Sequence, residues 1–181
     1  MKKFELTSES IVNIFGKKLF RIKALIEFGN VKEGELGGFV EKEENLSHEG
    51  DAWVSGNARV YGDAEVSGNA RVYGDARVYE NAKVYENARV YGDAWVSGNA
   101  RVSGDAWVSE DADYTTVKGF GTECRATTFF KCKDGIARAR CGCFYGDLEE
   151  FRVQVKNTRK GKIAEEYLMI ADLMEKHFKE E

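Results

Sequence analysis

Between Gly50 and Thr115, apolar and polar positions recur with a period of six, and one phrase is repeated eleven times without a break. It runs GDAWVS, GNARVY, GDAEVS, GNARVY, GDARVY, ENAKVY, ENARVY, GDAWVS, GNARVS, GDAWVS and EDADYT. A unit this short can bury its apolar side only against its neighbours, so the pattern predicts a stacked array. Within each phrase Ala and Val flank one variable residue. In extended chain, Ala and Val then point to one side, and the variable residue and the following Tyr or Ser point to the other. The remaining two positions, Gly or Glu followed by Asn or Asp, are turn formers. Each phrase is thus a short strand plus a corner. Three sides close a coil of 18 residues, and eleven phrases make almost four parallel coils around a narrow core of Val and Ala.

The period is absent on both sides of the array. In residues 1–49, the apolar runs IVNIF and LFRIKALIEF are joined by Gly16, Lys17 and Lys18, which predicts two strands around a turn. The glycine-rich, charged stretch GNVKEGELGGFVEKEENLS reads as a connector, with Leu46 where later phrases place alanine. A solenoid end exposes strand edges and an open core, so residues 1–49 are assigned as an N-terminal β cap. After residue 115, CRATTFFKC and IARARCGCF flank Asp134–Gly135, a hairpin signal. The simplest register places Cys132 opposite Ala137, Phe130 opposite Ala139 and Thr128 opposite Cys141. Asp147 reads as the cap of a helix carrying Leu148, Phe151 and Val155. A second helix follows, with Ile163, Tyr167, Ile170, Met174 and Phe178 on one side. Residues 116–181 are therefore expected to form a small α+β module, a hairpin plus two helices, closing the far end.

Folding the phrases by threes stacks residues 18 apart and makes the outside of the prism uneven. Face one carries Trp53, Arg71, Arg89 and Trp107 beside Ser55, Tyr73, Tyr91 and Ser109. Face two carries Arg59, Arg77 and Trp95 beside Tyr61, Tyr79 and Ser97. Face three alternates in charge, with Glu65, Lys83 and Arg101 beside Tyr85. Such ladders stabilise neighbouring coils in their own right. Tyr, Trp and Arg are also the residues enriched at binding hot spots, and arginine with tyrosine suits the phosphate and base of a nucleotide. The candidate binding residues are therefore Trp53, Arg71, Tyr73, Arg89, Tyr91 and Trp107, with Arg59, Tyr61, Arg77, Tyr79 and Trp95.

Charge and composition narrow the chemistry. The formal net charge of −4 disfavours generic nucleic-acid binding, and no apolar run is long enough to span a bilayer, so a cytoplasmic protein without membrane contact is expected. The only histidines are His48 and His177, and neither lies in the array. Four cysteines at Cys124, Cys132, Cys141 and Cys143 match no common zinc spacing and read as reduced thiols, most of them in the core. No metal and no cofactor is expected.

The Val-x-x-x-Ala spacing of residues 50–115 resembles the hexapeptide repeat of left-handed parallel β-helices. That resemblance implies a mainly β fold and side-by-side homo-oligomers, a trimer or dimer. It also brings in acyltransferases, for which His48 is the one conceivable base, but the array lacks the histidine and the inserted loop of those enzymes. The segments LGGFV…NLS…GDAWV and TTFFKCKDGIARARCGCFYGDLEEF are similar to phage and prophage proteins of Gram-positive bacteria. The first is similar as well to bacterial putative hexapeptide acetyltransferases. The phage likeness implies a binding protein acting against a host defence component, through a host protein or a small nucleotide signal. The alternatives are an acyltransferase and a structural spacer.

Overall fold

The computed structural model describes residues 1–179. Strand β1 (Phe4–Val12) pairs antiparallel with β2 (Lys18–Ala24) around the turn at Gly16, as the two apolar runs predict. The stretch read as a connector instead contains a third strand, β3 (Leu36–Val40), antiparallel to β2. Its glycines are there for close approach. A Cβ on Gly37 would stand 2.5 Å from Ile22 Cγ1, and one on Gly38 would stand 2.6 Å from the Ala58 carbonyl oxygen.

Ten phrases then supply ten two-residue strands: β4 (Trp53–Val54), β5 (Arg59–Val60), β6 (Glu65–Val66), β7 (Arg71–Val72), β8 (Arg77–Val78), β9 (Lys83–Val84), β10 (Arg89–Val90), β11 (Trp95–Val96), β12 (Arg101–Val102) and β13 (Trp107–Val108). They stack in parallel as β4-β7-β10-β13, β5-β8-β11 and β6-β9-β12, the three faces obtained by folding the phrase by threes. The result is a mainly β solenoid of about four turns. Every Ala and Val of the ten phrases is 1% exposed or less. The eleventh phrase leaves the coil: residues 111–113 form a short 3-10 helix and Tyr114 begins an antiparallel strand.

The N-terminal segment is continuous with face two, because β3 runs parallel to β5 and gives a six-stranded sheet β1-β2-β3-β5-β8-β11. It also satisfies the carbonyls of the first coil. Lys3 Nζ donates to the Gly50 and Ala52 oxygens at 3.1 and 2.9 Å, and Asn45 Nδ2 donates to those of Gly62 and Ala64 at 3.1 and 2.8 Å. Leu46 bridges Val66, so it extends the valine column, not the alanine column expected of it.

The opposite end is closed by the sheet β14 (Tyr114–Val117), β15 (Thr127–Lys131), β16 (Ala137–Cys141) and β17 (Phe144–Asp147), followed by helices α1 (Leu148–Thr158) and α2 (Gly161–Phe178). The hairpin register is one residue away from the expected one: Lys131 faces Ala137, Phe130 faces Arg138 and Phe129 faces Ala139. The loop closes through Cys132 N–H to the Ile136 carbonyl, at 3.2 Å, which makes it longer than a two-residue turn. A one-residue slip exchanges the faces. Phe130 and Cys132 accordingly join the solenoid core, while Phe129, Ala139 and Cys141 pack with the helices. The cysteines therefore do not share one buried face, and Cys124 and Cys143 are exposed. Helix α1 begins as expected, with Asp147 Oδ1 accepting from Glu150 N–H at 2.8 Å. Helix α2 buries Tyr167, Ile170, Met174 and Phe178.

Candidate functional site

The outward columns become ladders because coils repeat at strand spacing, which brings residues 18 apart into side-chain contact. On face one, Tyr73 and Tyr91 stack with ring centroids 5.1 Å apart and planes 6° from parallel. Trp107 meets Tyr91 edge-on at 6.4 Å. The Arg89 guanidinium lies 5.4 Å from the Trp107 ring and Lys133 Nζ lies 5.8 Å from it, so the indole is bracketed by two cations. Each such contact contributes about 0.5–1 kcal/mol at an exposed site. Arg71 sits beside Arg89 in the ladder, and neither forms an ion pair among the described residues.

Trp53 does not belong to this surface. It is 2% exposed, lying beneath Phe28 in an edge contact at 5.4 Å and against the backbone at Gly37. Covering it closes the end of face one, so the open ladder starts at Arg71. Face two is covered at the same end. Tyr61 stacks on Tyr79 at 5.2 Å but is 5% exposed, packed with Leu19 and Phe39 under the β1–β2 hairpin, whose tip residue Phe15 lies 6.5 Å away. Arg77 lies 4.2 Å over Trp95, and Arg59 stands beside it in register. On face three Lys83 pairs with Glu65 at 2.9 Å and Arg101 stands next to Lys83 in register, while Arg140 from the C-terminal sheet covers Tyr85 at 5.3 Å. The eleven candidates thus divide. Arg71, Tyr73, Arg89, Tyr91 and Trp107 form one open cluster, Arg59, Arg77, Tyr79 and Trp95 a second, and Trp53 and Tyr61 are packing residues.

The long-range contributors Lys133 and Arg140 carry no signal in the repeat, since they approach the solenoid only after the hairpin has folded back on it. Burial pushes the Tyr61 hydroxyl above the usual phenol range, with its neighbour Tyr79 adding to the shift.

Both histidines are engaged in the fold. His48 stacks on Phe4 at 4.3 Å, its Nδ1 accepts the Lys3 N–H at 3.1 Å, and its Nε2 is 3.6 Å from Glu43. His177 Nε2 donates to the Ala112 carbonyl at 3.0 Å. Among the described residues, no group of three or more His, Cys, Asp or Glu side chains is arranged to hold a metal ion. Nor is any helix among them long and apolar enough to cross a membrane.

Comparison with known families agrees with this architecture. Residues 52–68, 64–80, 70–86, 82–98 and 94–110 match the family model described as YdcK Beta solenoid repeat. The matched segments cover the array and less than half of the chain, so the likeness is one of repeat type. No curated protein matches the chain.

Proposed function

We propose that the protein is a non-catalytic binding protein, and that the open ladder of face one is the surface it presents to a partner protein with acidic groups. The observation that carries this reading is the pair Arg71 and Arg89, neither in an ion pair among the described residues, beside the stacked rings of Tyr73 and Tyr91 and the edge-on Trp107. Adjacent arginines repel weakly in water, and a carboxylate brought to them by a partner makes the arrangement favourable. Flat surfaces of Tyr, Trp and Arg suit protein hot spots better than small ligands, which need concave sites. A nucleotide fits less well, since tyrosine rings 5.1 Å apart leave no slot for a base between them.

The acyltransferase reading has less support, because His48, its one conceivable base, has its Nδ1 occupied by the Lys3 amide and its ring stacked on Phe4. The likeness of the flanking segments to phage proteins makes a bacterial defence component the natural partner to test. A second copy of the chain is the other protein to test.

Immobilised protein and its Arg71→Glu/Arg89→Glu variant, compared for capture from a bacterial lysate and for self-association by sedimentation, test the reading. The variant is expected to keep the β-rich circular dichroism and to lose at least about tenfold in affinity for the partner. Equal capture and equal self-association by both proteins would contradict it.

A further inference from the structure

The C-terminal module holds a cavity that the solenoid reading does not use. Its volume is about 130 Å³, and Phe120, Phe144, Phe151 and Tyr167 line it. The segment before β15 forms its outer wall, pinned by Tyr167 Oη donating to the Phe120 carbonyl at 3.1 Å. On the inner side the wall is built of packed rings, where Phe151 meets Phe144 at 5.6 Å and Tyr167 at 6.0 Å. Two arginines, Arg125 and Arg159, stand at the mouth. The Arg159 guanidinium has no carboxylate partner among the described residues; its hydrogen bond there runs to the neighbouring Thr158 carbonyl at 3.4 Å. Arg125 is 3.9 Å from Glu123, and both side chains of that pair are more than half exposed. The mouth thus carries two cations against one carboxylate, above an apolar floor.

We infer that this cavity is a binding site for a small organic anion, an aromatic ring or short acyl group bearing a carboxylate. An apolar cavity of comparable size, roughly 150 Å³, lined by aliphatic and aromatic side chains is large enough to hold benzene. Here the ring or acyl group enters the aromatic floor, and the carboxylate stays at the mouth between the guanidinium groups. Arginine supplies paired N–H donors matched to a carboxylate. The inference does not depend on face one: the two sites share no residue, and a variant altered in one leaves the other intact.

Titration with benzoate, phenylacetate and indole-3-carboxylate, read by saturation transfer from protein to ligand, tests it. Their neutral amides serve as controls, and Cys143, the exposed one of the two lining cysteines, gives a second readout. At least one of the three acids is expected to bind, about tenfold more tightly than its amide, and to lose about tenfold on Arg159→Gln. The bound acid is expected to slow alkylation of Cys143, which lines the same cavity. Gln154→Trp, at an exposed lining position that leaves the floor untouched, is expected to abolish binding by filling the mouth. Absence of saturation transfer at millimolar ligand would overturn the inference. So would equal affinity for acid and amide, or affinity unchanged in both variants. The Arg71→Glu/Arg89→Glu variant is expected to bind the acid like the parent protein, which separates failure of this site from failure of the solenoid surface.

Discussion

Glu80 and Glu86 stand with φ of 58° and 60°, in left-handed backbone where most phrases place glycine. That conformation costs a residue with a Cβ roughly 1–2 kcal/mol. Each side chain offsets the cost by accepting a corner amide one coil on, Gly98 N–H for Glu80 and Gly104 N–H for Glu86, both at 2.7 Å. Lys3 resolves a different conflict. Its ammonium is buried to satisfy two carbonyls, and burial holds its pKa down to about 8, with Arg71 also lowering it and Asp51 opposing. An unfolded lysine keeps its proton up to about 10.5. Between those values the unfolded chain binds the additional proton, so stability rises with pH across that window and this group adds no slope below it. In Lys3→Met that rise is expected to vanish, and about 1–3 kcal/mol is expected to be lost near pH 9, where two carbonyls lose their donor. Urea denaturation of both proteins at pH 7 and pH 9.5 checks this; parallel changes in the two would contradict it.

At the scale of elements, the solenoid is a stack whose two ends are capped by different segments. The N-terminal segment brings Lys3 and Asn45 to first-coil carbonyls, and the opposite end brings acceptors to last-coil amides. Asp111 Oδ1 accepts Trp95 N–H at 2.8 Å, and Thr128 Oγ1 accepts Arg101 N–H at 2.9 Å. Thr128→Val keeps the shape and removes the acceptor, so a loss of about 1–3 kcal/mol is expected. The loss should show first as faster hydrogen exchange at the Arg101 amide, which loses its acceptor. Unchanged exchange there would contradict the capping role. These caps also mark where the sequence was legible. The Ala and Val columns and the Asp147 helix start are local patterns, and they read directly. Gly37 and Gly38 resembled loop residues because their reason, contact with Ile22 and Ala58, lies far along the chain. The hairpin register was ambiguous because both sheet faces are buried, one by the solenoid and one by the helices, so alternation could not choose between them.

For the whole molecule, the caps decide which parts of the solenoid remain open. The N-terminal hairpin covers Tyr61, and Phe28 covers Trp53, while Arg140 of the C-terminal sheet covers Tyr85. What is left uncovered on face one is the ladder from Arg71 to Trp107, with Lys133 joining it from the far end. Trp53 and Trp107 occupy equivalent positions in the repeat and end in different surroundings, which no reading of the phrase alone could separate. The surface is thus a product of repeat and caps together. Hydroxyl-radical footprinting of the protein with and without its captured partner tests the claim most directly. Protection is expected at Tyr73, Tyr91 and Trp107, with Tyr85 and Tyr145 labelled equally in both states. Protection confined to face three or the C-terminal module, with Tyr73, Tyr91 and Trp107 labelled as in the free protein, would contradict it.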